Sequence, residues 1–204
     1  ITGRNFNTLS IGIAASDLEH LEAFKLALES NYPIHTWTIA GRNYVRIDIY
    51  SRRIVETLAR HSIVPRKGPT LAWPALDPNL LPHYLRGYFD GDGWISSIIH
   101  RTGPRLGNKP QPTFGLVGNN DFLTSARSYI SAACGVNSPK IRAVGKSYAH
   151  SIVWSGTLQI SRIENLLYRN ATVFLARKCS KFPTRSCAPL GSCRTASGKS
   201  LSFS

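Results

Sequence analysis

Asp90 and Asp92 lie two residues apart in the stretch Leu85-Arg86-Gly87-Tyr88-Phe89-Asp90-Gly91-Asp92-Gly93. Carboxylates are hard oxygen donors of the kind a divalent cation takes. Upstream, Leu80, Leu81, Tyr84, Leu85, Tyr88 and Phe89 recur at helical spacing, which predicts an amphipathic helix. The acids then fall at its C-terminal end, where the helix dipole is negative. That is a poor place for an acid unless a cation binds there. Gly87 and Gly91 are one turn apart on the same helix. An interior glycine costs about 1 kcal/mol against alanine, and close packing on a second backbone can offset that cost. The pattern therefore predicts a tight helix pair, with Gly87 and Gly91 as the packing residues and a metal-binding acid at the foot. Asp77 is placed to cap the helix and Pro78 to open it. Pro82 is awkward inside it, so the helix starts late or bends there.

The elements that must position this helix read as follows. Residues 8–14 are a strand, and Asp17 caps a helix reaching residue 30. Strands 34–40 and 44–50 flank a Gly41-Arg42-Asn43 turn, and 52–59 is a helix. Residues 65–79 are proline-rich and cross the surface. Beyond the acids, 94–101 and 113–118 are strands joined by a Gly/Pro/basic loop. Asp121 caps a helix to residue 133. A hairpin of 140–144 and 148–154 turns at Gly145, and 157–168 is a helix.

The second series repeats the first. Asp121 lies 104 residues after Asp17, as Gly145 does after Gly41, Tyr148 after Tyr44 and Leu175 after Leu71. A duplicated α/β unit follows. The same offset puts the partner of the 85–93 stretch before Ile1, so the expectation is a fragment whose first unit lacks its first helix and strand. The division expected is 1–76 for a partial first unit, 77–182 for the second and 183–204 for a disordered tail.

The chain has 204 residues and a net charge of +14 from 25 Lys plus Arg against 11 Asp plus Glu. Such an excess favours a polyanion partner. No run approaches the roughly 20 apolar residues of a membrane span, and no secretory leader is visible at Ile1. The cysteines, Cys134, Cys179, Cys187 and Cys193, lack zinc-site spacing. The expectation is an intracellular protein, cytoplasmic or organellar, with reduced thiols.

The 85–93 stretch resembles the LAGLIDADG motif of homing endonucleases, of the dodecapeptide (DOD) type. The resemblance covers about residues 8–182. It implies an α/β (α+β) fold of two pseudo-symmetric αββαββα halves with saddle-like antiparallel sheets, the first half lacking its motif helix. It also implies intron- or intein-borne, site-specific cleavage of double-stranded DNA with Mg²⁺ or another divalent cation. Carried over by position, Asp92 is the catalytic acid, with Asp92 and Gly91 at the metal. Asp90 supports or caps. The family places a basic residue near each site: Lys67, in Ile63-Val-Pro-Arg-Lys-Gly-Pro, matches one, and Lys178, in Phe174-Leu-Ala-Arg-Lys, the other, with Arg169 as rival.

Strand alternation then sorts the DNA-facing side chains. Tyr44, Arg46 and Asp48 point away from Val45, Ile47 and Ile49. Trp94, Ser96, Ile98 and His100 oppose Ile95 and Ile99, and Lys140 and Arg142 oppose Ile141 and Ala143. A β-ribbon fits the major groove. Arg101, Arg105, Lys109 and Lys146 add phosphate contacts from loops. The expected assembly is a monomer with two halves, ahead of a single-motif homodimer. The alternative function on the same fold is a non-catalytic DNA-binding regulator or an RNA maturase.

Overall fold

A computed structural model describes residues 7–65, 67–99, 110–145 and 148–184, side chains at 97–99 and 110 excepted. His100, Arg101, Arg105, Lys109 and Lys146 lie outside the described residues, as does the tail from residue 185.

The first unit runs β1 (Thr8–Ala14), a single 3-10 turn, α1 (Leu18–Ala27), β2 (Ile34–Ile39), β3 (Arg42–Tyr50) and α2 (Arg52–Arg60). β1 and β2 both pair antiparallel with β3, in the order β1-β3-β2. Val45, Ile47 and Ile49 alternate inward along β3, as expected, and form a small core with Leu21. Ser51 caps α2, its Oγ accepting from the Ile54 N–H at 3.3 Å.

α3 (Leu81–Asp92) opens the second unit and runs straight into β4 (Gly93–Ile99). β5 (Pro110–Gly118), α4 (Asn120–Cys134), β6 (Arg142–Ala143), β7 (His150–Ser155), α5 (Thr157–Tyr168) and a short α6 (Ala176–Cys179) follow. The sheet order is β4-β5-β7-β6, antiparallel throughout. Its inner face and the helices enclose a larger core built on Phe89, Phe114, Phe122, Trp154 and Phe182. The protein is thus a mixed α/β fold with two antiparallel sheets. Among the described residues no helix is long and apolar enough to cross a membrane.

Several local expectations are corrected. α3 starts at Leu81 with Pro82 in its first turn, where a missing N–H costs nothing. Asp77 lies before it, and its carboxylate accepts from the Asn79 N–H at 2.8 Å in a turn. α4 is capped by Asn119, whose Oδ1 accepts from the Phe122 N–H at 2.8 Å, not by Asp121. Asp17 makes no cap bond, its carboxylate being held by Arg177. Cys134 is a free thiol, whereas Cys179 is disulfide-bonded.

The two units match in topology, but the buried residues of their strands and of α1 and α4 correspond at a spacing of 105, whereas the buried Leu71 and Leu175 keep 104. Ile47 matches Ile152, Ile49 matches Trp154, and Leu21 matches Ala126. Strand faces alternate, so the one-residue difference would exchange core and surface. The cause is the hairpin. β2 and β3 meet at Ile39 and Arg42, whereas in the second unit Val144 and Ala149 are the last bonded pair among the described residues. The turn glycines therefore align out of step with the strands they join.

Residues 67–76 pack on the second core. Leu71 belongs to it, Trp73 lies against Tyr84, Phe122 and Tyr129, and the Asn119 side chain donates to the carbonyls of Gly68 and Leu71.

Candidate functional site

Leu85 and Phe89 bury one side of α3 in the second core, and Tyr88 donates to the Val117 carbonyl at 2.6 Å. Arg86 is buried as well, at 6% exposure. Its guanidinium donates to the carbonyls of Leu167 at 2.9 Å and Val173 at 3.0 Å and contacts His83 Nδ1 at 2.9 Å. Leu167 is in the last turn of α5, where carbonyls lack helical partners, so Arg86 ties the end of one helix to the flank of another. Burial lowers its pKa, and Asp90 opposes that shift.

Lys178 reaches under the foot of α3 from α6. Its ammonium donates to the carbonyls of Phe89 at 2.7 Å, Asp90 at 2.8 Å and Gly93 at 2.7 Å, and it lies 5.0 Å from the Phe89 ring centre. An ammonium has three protons to give, and all three are directed at the backbone. Burial lowers the Lys178 pKa, with Asp90 the first opposing charge. Asp90 is turned to the inside: Oδ2 accepts from the Leu175 N–H at 3.0 Å, while Oδ1 is buried without a partner among the described residues. Burial pushes its carboxyl above the usual carboxylate range.

Asp92, by contrast, is exposed at the foot, and so is Gly91. Lys67, Gly91 and Asp92 line one groove of about 360 Å³ beside α3. The sequence expectation therefore brings Asp92, Gly91 and Lys67 together, and puts Lys178 directly beneath them with its protons already committed. Arg169, the rival base, is exposed and lines a separate pocket with Pro78 and Arg162. Among the described residues no three His, Cys, Asp or Glu side chains converge on a metal. Mg²⁺ keeps several waters and is held by one or two carboxylates plus substrate phosphates. One exposed acid beside helix-terminal carbonyls fits that ion in kind.

Gly87 and Gly91 form an open face. Nothing among the described residues outside the helix comes within 4 Å of where a Cβ would sit on either. A second groove, about 740 Å³, runs along that face and is lined across from it by β1, Asp17, His20 and Phe24. Gly87→Ala is expected to raise stability by about 1 kcal/mol through helix propensity alone. Thermal unfolding checks this, and a loss of stability would show that another backbone is packed there.

The faces of β3 and the start of β4 sort as the alternation predicts, whereas in β6, only two residues long, Ala143 is exposed like Arg142 and does not face inward. Arg46 is exposed and pairs with Asp48, and Tyr44 lies on the same face. Ser96 is exposed, its Oγ 2.8 Å from Thr113 Oγ1, and Trp94 lies over Gly115, where no Cβ would fit. Arg142 is exposed opposite Ser151, whereas Lys140 is exposed ahead of the short β6. Two residues were missed. His35 pairs with Arg46 and Trp37 with Tyr44, so both share the outward face of β3. The signal was available: a two-residue hairpin loop at Ala40-Gly41 fixes that register.

No family model matches the chain, and no curated protein matches it in sequence. Solved structures do match. A double lysine-to-alanine mutant of I-SmaMI superposes with a TM-score of 0.56 at 12% identity, over 85% of this chain and 76% of that one. The I-SmaMI LAGLIDADG homing endonuclease bound to cleaved DNA gives 0.54 at 13%, over 84% and 74%. The LAGLIDADG meganuclease I-AabMI bound to uncleaved DNA gives 0.52 at 13%, over 79% and 74%. Identities this low speak for the backbone alone, and the backbone is that of the LAGLIDADG homing endonucleases.

Proposed function

We propose that this protein is a site-specific endonuclease of double-stranded DNA, hydrolysing a phosphodiester with Mg²⁺ or another divalent cation. The observation that carries the reading is the exposed Asp92 at the foot of a glycine-faced helix, with Lys67 across the same groove. Asp92 and the Gly91 carbonyl would hold the cation. When bound, it would activate water and offset the charge that builds on the scissile phosphate. Lys67 is the basic side chain placed to meet that phosphate. Lys178 holds the foot in shape through its three carbonyl bonds. The outward strand residues, Tyr44, Arg46, Trp94, Ser96 and Arg142 with Lys140 at their margin, give the sheets a DNA-facing side, and the net charge of +14 suits a polyanion. The working unit is a monomer.

The open face of Gly87 and Gly91 favours a second reading: a DNA-binding module whose chemistry waits for a helix to seat there. Both readings require duplex binding, and a salt titration tests it. The logarithm of affinity should fall with log salt at a slope of about −0.9 per phosphate contacted, and Arg142→Ala should reduce that slope by about one contact. A slope near zero would remove both readings.

A further inference from the structure

We infer that Arg46 is a preset reader of guanine in the major groove, held in position by Asp48 and Trp37. The inference rests on the DNA-binding reading above and names one determinant of its specificity. Arg46 lies in the middle strand of its sheet, with Gly12 of β1 on one side and His35 of β2 on the other. Its side chain is 48% exposed, but three neighbours fix where it points.

The first is Asp48, two residues along β3 and on the same face. Asp48 Oδ2 forms an ion pair with Arg46 Nε at 2.9 Å, and Asp48 Oδ1 accepts from Ser10 Oγ at 2.6 Å. Both carboxylate oxygens are thus engaged, and the acid is only 15% exposed. The second is Trp37, whose ring centre lies 5.5 Å from the Arg46 guanidinium carbon. Trp37 is itself held by Tyr44, stacked at 5.5 Å and 22°. The third is Gly12. A Cβ there would come within 3.2 Å of the outer edge of the Trp37 ring, so the glycine leaves room for the indole to lie flat across the strands.

The result is a guanidinium whose inner nitrogen is ion-paired with Asp48 and whose two terminal nitrogens have no hydrogen-bond partner among the described residues. Those two nitrogens are the fork that matches O6 and N7 of guanine, the commonest specific contact in the major groove. A flexible arginine loses rotamer freedom when it binds. One already clamped by a carboxylate and a ring has lost it beforehand, so more of the contact appears as discrimination. Asp48 accordingly serves as a positioning residue for Arg46 and does not itself face a base. Adenine offers a donor where guanine offers O6, and an arginine has only donors.

The test is selection of duplexes from a randomised library by the full chain, followed by the same selection with variants. The wild type should enrich guanine at one position that Arg46→Ala alone releases, with discrimination there falling by about 5- to 150-fold. Preferences at the remaining positions should persist. Arg46→Lys should not restore the preference, because an ammonium lacks the fork. Asp48→Asn should blur the same position and no other. An unchanged profile in Arg46→Ala, or a released position that selects another base, would overturn the inference. Duplex binding with no base preference at all would overturn it too and leave the DNA-binding reading standing. Absence of duplex binding would overturn both.

Discussion

Lys178→Met is expected to destabilise the protein by about 3 kcal/mol. Hydrogen bonds to a charged group contribute roughly 1.5–3 kcal/mol each. Lys178 makes three, to Phe89, Asp90 and Gly93, but they share one ammonium and the cost of burying it offsets part of the sum. Methionine would fill the space over Phe89 and leave three carbonyls at the end of α3 with one donor fewer each. For a chain of this size the change corresponds to a fall of about 10 °C in the thermal midpoint. Lys178→Arg should not rescue it, because a planar fork cannot direct three protons at carbonyls converging on one point. Thermal melts of the two variants check this. A methionine variant as stable as the wild type but inactive on DNA would place the ammonium in the chemistry instead.

Much of this arrangement was legible in the chain. The helical period of Leu85 and Phe89 and the alternation of Val45, Ile47 and Ile49 come from burial on one face, which sequence records directly. The place of Asp92 at the end of that helix was legible from the same period. The failures have a common physical form. Asp17, Asp77 and Asp121 all fit the cap pattern by type. One is held by a distant arginine, one forms a turn, and one gives way to Asn119 two residues earlier. A cap depends on where the backbone turns, and several polar residues near a helix start can each fit the pattern. The burial of Arg86 was invisible for a related reason. Its partners are the carbonyls of Leu167 and Val173, and backbone acceptors carry no signature of residue type. The same holds for Lys178. The 104-residue spacing followed turn glycines, whose positions tolerate changes of loop length, whereas the strands obey the register that burial demands.

The second large effect is on chemistry. Asp92→Asn keeps size and hydrogen-bonding reach but removes the charge that would hold a divalent cation. Asp92 is exposed, so the fold should be indifferent to the change, and the outward strand residues should keep their contacts. Cleavage should fall on the order of 1,000-fold or more, equivalent to about 4 kcal/mol of barrier. Omitting the divalent cation from the wild-type assay should have the same effect as the substitution.

The most direct measurement is therefore strand scission by wild type and Asp92→Asn on one selected duplex, with Mg²⁺, with affinity measured on the same samples. The result expected is metal-dependent scission by the wild type, none by the variant, and affinities equal within a few-fold. Scission retained by Asp92→Asn, an affinity loss as large as the loss of cutting, or no metal-dependent scission by the wild type would each contradict the assignment of the chemistry to this foot.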